Sequence, residues 1–234
     1  AWTGKGEELL ALERYSQSCE AFERACEIQI DNANTWLSYA SALRLSGRYN
    51  ESIAAYNKSI DLDPVNPDAW NGKALSYLKL KDYNVSLQLF DRAIDLDSDE
   101  IGFLYNKALA LDEQGNYSEE ISSLRISVQL HPECAVCWNQ LGLALAKLEI
   151  FDEAIDAYDR AIMLDSDYLD PWNNRGILLM MGREDYVEAL KSFDKAIDID
   201  PNCMEAWANK ASALRLSDRG IEANSALEKA KKLG

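Results

Sequence analysis

Apolar and small residues recur along this chain on a helical rhythm that restarts every 34 residues. In the stretch Pro67–Glu100, Trp70, Ala74 and Tyr77 stand at i, i+4 and i+7, which is one face of a helix. After a polar break at Lys81–Asp82, Ser86, Phe90 and Ala93 repeat the spacing on a second helix. Asn66 before Pro67 reads as a side-chain N-cap followed by proline in the first turn, so it marks where a unit begins. The predicted unit is a helical hairpin. Ala74 and Ala93 let the two axes approach, and Trp70, Tyr77 and Phe90 fill the gaps around them.

The same columns run through the whole chain. All six tryptophans share one: Trp2, Trp36, Trp70, Trp138, Trp172 and Trp207, with Leu104 in the remaining place. The small column reads Gly6, Ala40, Ala74, Ala108, Gly142, Gly176, Ala211, and the large one Phe22, Tyr56, Phe90, Leu124, Tyr158, Phe193, Leu227. Proline closes units at Pro64, Pro132 and Pro201. Self-similarity at a fixed period is the mark of a repeat architecture. On these columns the sequence resembles the tetratricopeptide-repeat (TPR) family over nearly its whole length. The single array 1–234 divides into repeats 1–32 (lacking its first two positions), 33–66, 67–100, 101–134, 135–168, 169–203 and 204–234. The sixth carries one extra residue near Arg183–Asp185. Leu104 for Trp, Glu120 for Ser or Ala, and Gly220 for an aromatic are the departures. The resemblance implies an all-α protein, a right-handed TPR superhelix (α-solenoid) of helix-turn-helix repeats.

A solenoid buries each repeat only against its neighbours, so length sets no limit on the core, and nearly half the residues are apolar. Trp2 already occupies the fourth position of its repeat, which predicts either further sequence upstream or a start trimmed at this point. In the last repeat Asn224 and Lys231 replace the aliphatic residues of their columns, giving the polar outer face of a terminal cap. No apolar run reaches the roughly 18 residues of a membrane span and no signal-peptide pattern opens the chain. Net charge is −16, and no repeat has a strong basic excess, which removes the electrostatic source for binding nucleic acid or an anionic membrane. Five cysteines are too few, and odd in number, for a disulfide framework, in keeping with a reducing, cytoplasmic location.

Little in the sequence points to catalysis. The single histidine, His131, has no nucleophile or carboxylate pattern around it, and no cofactor or enzyme activity is expected. His131, Cys134 and Cys137 are the only weak metal or redox candidates, since a C-x-x-C needs a fourth ligand for zinc. The two cysteines are instead expected to end a loop and to fill a small first-turn position. Cys19 and Cys26 are expected as core thiols. Asp95, Asp97 and Asp99 lack the glycine and the bidentate glutamate of a calcium loop, so they read as solvated loop carboxylates.

The TPR resemblance places the second face of each first helix on a concave groove. There the Gly72 column reads Gly4, Ser38, Gly72, Asn106, Gln140, Asn174, Asn209. Four successive amides can donate to and accept from an extended peptide backbone, and the row resembles the asparagine ladder of the TPR domain of O-linked N-acetylglucosamine transferase. Beside it Leu75, Leu109, Leu143 and Ile177, with Met180 and Met181, form an expected apolar strip. The two-carboxylate clamp of chaperone-binding TPRs is not present. The Asn71 column (Thr3, Leu37, Asn71, Tyr105, Asn139, Asn173, Ala208) holds no lysine. The expected function is a non-enzymatic scaffold that binds an extended peptide or protein segment in this groove. The alternative is a structural spacer that self-associates through its N-terminal repeat into a homo-oligomer.

Overall fold

The structure is a computed structural model describing residues Ala1–Gly234. It contains fourteen helices and no strand. They divide into two compact units. The first, Ala1–Asn116, holds α1 (Trp2–Ala11), α2 (Tyr15–Ile28), α3 (Ala33–Leu45), α4 (Tyr49–Leu62), α5 (Pro67–Lys79), α6 (Tyr83–Leu96) and α7 (Ile101–Gln114). The second, Tyr117–Gly234, holds α8 (Tyr117–Leu130), α9 (Ala135–Lys147), α10 (Phe151–Leu164), α11 (Leu169–Gly182), α12 (Tyr186–Ile199), α13 (Met204–Leu216) and α14 (Gly220–Leu233). Within each unit a helix packs on the next in sequence, and odd-numbered helices also touch one another across a repeat.

Local chemistry sets both kinds of turn. Inside each hairpin one residue sits in the left-handed region: Glu13, Gly47, Lys81, Gly115, Glu149, Glu184 and Asp218, with φ between 54° and 80°. Glycine supplies this conformation without steric cost, yet only Gly47 and Gly115 use it. Five side-chain residues accept the strain because the hairpin geometry leaves no other choice. Between hairpins, Asp63, Asp97, Asp165 and Asp200 each accept a hydrogen bond from the backbone N–H two residues on, at 2.9–3.3 Å. These are Asx turns. Asp97, read from sequence as merely solvated, therefore helps to shape the link between repeats, and Asp63, Asp165 and Asp200 do the same. Asn66 caps α5 by accepting from Asp68 N–H at 3.0 Å, with Pro67 in the first turn, as expected.

The tryptophans differ from the sequence expectation. Rather than filling the core, Trp36 and Trp70 lie partly buried against its edge. The indole N–H of Trp36, Trp70, Trp138, Trp172 and Trp207 donates to the carbonyl six residues earlier, at 2.8–3.0 Å. Each ring thus ties the start of its helix to the turn that precedes it. Trp172→Phe keeps an aromatic ring at the site while removing the bond to Ser166 O together with the pyrrole part of the indole. It is expected to cost about 1 kcal/mol in urea unfolding, and an unchanged midpoint would show that the tether is idle.

The core proper is built by the second helices. Phe22, Tyr56 and Phe90 in the first unit, and Leu124, Tyr158 and Phe193 in the second, are almost completely buried. Small residues make room for them: Ala40, Ala74, Gly142 and Gly176 lie on the first helices. In the first unit Ser18, Ser52 and Ser86 donate from the second helix to the carbonyls of Gly6, Ala40 and Ala74, at 2.8–2.9 Å, fixing the register of each hairpin.

Candidate functional site

The predicted binding residues lie on the odd-numbered helices of both units. In the second unit α9, α11 and α13 are successive neighbours. The helical period puts Asn139 and Leu143 on one face of α9, and Asn173 and Ile177 on the matching face of α11. The amides are not independent side chains. Asn174 Nδ2 donates to Asn139 Oδ1 at 3.1 Å, and Asn209 Nδ2 donates to Asn173 Oδ1 at 3.0 Å. Asn139, only 2% exposed, in turn donates to Tyr168 Oη at 3.2 Å. Gln140 is half-buried, and its side-chain amide has no hydrogen-bond partner within the protein. In the first unit Asn106 Nδ2 donates to Asn71 Oδ1 at 3.0 Å.

The predicted ladder is therefore a set of amide pairs that bridge adjacent odd-numbered helices. Each donor asparagine spends one N–H on its neighbour and keeps a second N–H and its carbonyl oxygen. Asn71, Asn139 and Asn173 were missed as partners. Their signal lies in the sequence, because each is followed by an asparagine 35 or 36 residues later, one period plus one.

The apolar strip is less exposed than expected. Leu109, Leu143 and Ile177 are half-buried, and Leu75 packs on the cluster of Ala74, Leu78, Phe90 and Ala110. Met180 is buried, at 7% exposure, while Met181 projects into solvent at 74%. Consecutive helical positions point about 100° apart, so the two methionines cannot share one face.

Charge sits mostly elsewhere. Arg175 Nε meets Asp159 Oδ1 at 2.6 Å and its Nη1 donates to Ser192 Oγ at 2.8 Å. Lys210 meets Asp194 at 2.6 Å, and in the first unit Lys107 meets Asp91 at 2.6 Å. These pairs pin α7, α11 and α13 each to the second helix of the preceding hairpin, which neutralises the cations. Asp170 and Glu205 remain exposed, one turn before Asn174 and Asn209.

The cysteines depart from expectation. Cys134 and Cys137 are joined by a disulfide at the start of α9, and Cys134 Sγ also accepts the Cys137 backbone N–H at 3.1 Å. Their placement is the expected one, Cys134 at the end of the loop and Cys137 buried in the first turn, but the two are also bonded to each other. A disulfide sulfur is not the thiolate a metal requires, and His131 Nδ1 lies 3.7 Å from Glu133 Oε1. No group of three or more His, Cys, Asp or Glu side chains converges anywhere. Cys19 and Cys26 are buried free thiols, as expected.

No helix is long and apolar enough to cross a membrane. Four models of tetratricopeptide-repeat families match, over residues 1–32, 40–81, 72–133 and 135–168, together more than half the chain. A comparison with curated proteins found no match. Among solved structures the chain is similar to YrrB, described as a TPR protein with an unusual peptide-binding site. The identity is 25% and the TM-score 0.63, over 80% of this chain and 96% of that one. It also shares its fold with the C-terminal part of a TPR repeat-containing protein from Cytophaga hutchinsonii, at 12% identity, TM-score 0.81 and coverage of 99% and 95%. A third similarity is to the Cut9–Hcn1 hetero-tetramer of the APC/C, at 17% identity and TM-score 0.66, over 91% of this chain and 42% of that one. Repeat models along the sequence, paired helices and TPR neighbours in space agree, and the chain belongs to the tetratricopeptide-repeat family of protein-interaction scaffolds.

Proposed function

We propose that the second unit binds an extended peptide segment of a partner protein across α9, α11 and α13. The observation that carries this reading is the pairing of Asn174 with Asn139 and of Asn209 with Asn173. Pairing holds each amide in one rotamer, so its remaining N–H and carbonyl are preorganised for a peptide backbone at little further entropic cost. Unbonded Gln140 adds a third amide to the row. Leu143, Ile177 and exposed Met181 offer apolar surface beside it, suited to a segment with small or aliphatic side chains. Asp170 and Glu205 favour a basic group where the peptide passes the first turns of α11 and α13. In the first unit Asn106, Leu75 and Leu109 supply a smaller set of the same kind.

The test is a peptide-array screen of the whole chain against its Gln140→Ala, Asn209→Ala double variant, with circular dichroism confirming that the variant folds. Neither substitution strands a buried group, since Gln140 is unbonded and Asn173 is only half-buried. Loss of two backbone-directed bonds is expected to weaken the hits about tenfold or more. Equal binding by wild type and variant would overturn the reading. A chain that binds no peptide but self-associates with rising concentration would replace it with the spacer role.

A further inference from the structure

We propose that the Cys134–Cys137 bond is a redox-active disulfide, reduced and re-formed by exchange with a dithiol while the protein stays folded, with Cys134 as the sulfur attacked. The two sulfurs are unequal in access. Cys134 is half-buried at the N-cap of α9, whereas Cys137 is 2% exposed in the first turn. Position favours the thiolate as well. The Cys137 N–H already points at Cys134 Sγ, at 3.1 Å, and the positive end of the helix dipole lies behind it.

The fold does not depend on the bond. It closes a ring within one turn and joins no two helices, so it constrains the unfolded chain little. Elsewhere the same cap is made without it: Asn32 accepts from Thr35 N–H at 3.0 Å. The other three cysteines are in a different state. Burial, with Glu23 adding to it, pushes the Cys26 thiol up to about 12, and burial also raises Cys19 and Cys203.

In the exchange a thiolate of the dithiol attacks Cys134 Sγ, and the electron pair of the breaking S–S bond goes to Cys137 Sγ, which takes up a proton. The second thiolate of the dithiol then attacks its own sulfur in the mixed disulfide and releases Cys134 as a thiolate facing the Cys137 N–H. Protonation of Cys134 completes the transfer of two electrons and two protons, and the dithiol leaves as a disulfide. A protein bearing its own C-x-x-C, or a small dithiol, would serve equally as the reductant.

The experiment treats the full chain, first equilibrated with oxidised glutathione, with dithiothreitol in native buffer. Thiols are trapped with maleimide and located by peptide mass mapping, and helicity is followed by circular dichroism. Cys134 is expected to be protected before reduction and, afterwards, to label about tenfold or more faster than Cys137, with the dichroism unchanged. Oxidised dithiothreitol should restore the protection. Cys134→Ser, which keeps an N-cap oxygen, should fold normally and leave Cys137 as a slow-labelling thiol in every condition. The proposal fails if both cysteines label without reductant, or if they become reducible only at urea concentrations that unfold the chain.

Discussion

Phe193→Ala is expected to lower the free energy of unfolding by about 3–5 kcal/mol, the largest effect of any single substitution considered for this protein. The ring of Phe193 is 0% exposed and stands directly against the backbone of α11. A Cβ placed on Gly176 would come within 2.6 Å of it, so at this point the ring leaves no room between α11 and α12 for a side chain on Gly176. No side chain on Gly176 can relax into the cavity left behind, which puts the cost at the upper end of the range for aromatic truncation. Urea unfolding with an unchanged slope would measure it, and a loss below about 1 kcal/mol would mean that the two helices collapse onto each other. Phe193→Leu should recover roughly half, because Leu124 occupies the same column and is completely buried there.

Gly72→Asn is expected to destabilise the first unit by about 1–3 kcal/mol, although column logic alone would have it extend the amide row. A Cβ at Gly72 would overlap the hydroxyl of Tyr56, which lies 3.1 Å from Ser41 Oγ. The intrinsic gain from removing a helical glycine is only a few tenths of a kcal/mol for asparagine, so overpacking decides the sign. Each buried tyrosine of this column has a glycine that makes room for it. Tyr158 uses Gly142, which leaves the neighbouring position free for Asn174, while Tyr56, whose hairpin carries Ala40 instead, uses Gly72. Adding Tyr56→Phe to Gly72→Asn should recover most of the loss. The combination of Ala74, Phe90 and Asn106 already exists one repeat further on. If thermal and urea unfolding show the single variant to be as stable as wild type, the tyrosine has another place to go.

Both outcomes follow from how columns become contacts. The 34-residue period, the two helices per repeat, the buried Phe22, Tyr56, Phe90, Tyr158 and Phe193, and the small residues opposite them are all legible in the sequence. Helical periodicity and steric size are properties of the chain itself. The break at Lys81–Asp82 and the cap at Asn66 are legible for the same reason, since turn and cap preferences act over a few residues.

The candidate binding face was legible only in part. The sequence names Asn106, Gln140, Asn174 and Asn209 as a row, and it carries the period-plus-one spacing to Asn71, Asn139 and Asn173. It does not say that three of the four donate across to the helix before, because a hydrogen bond between neighbouring helices depends on their separation and rotation. Packing also left the tryptophans at the edge of the core, where each tethers the preceding turn, and decided which of the adjacent Met180 and Met181 faces inward.

By itself, then, the sequence determined the repeat, the all-α architecture and the residues of the core, because local propensity and the spacing of apolar side chains act along the chain. The Cys134–Cys137 bond is local to the first turn of α9, but spacing alone does not say whether the two sulfurs are joined. Only the tertiary structure decided which amides are paired and that Gly72 belongs to Tyr56, because those atoms meet only when one helix has packed at a definite angle against the next.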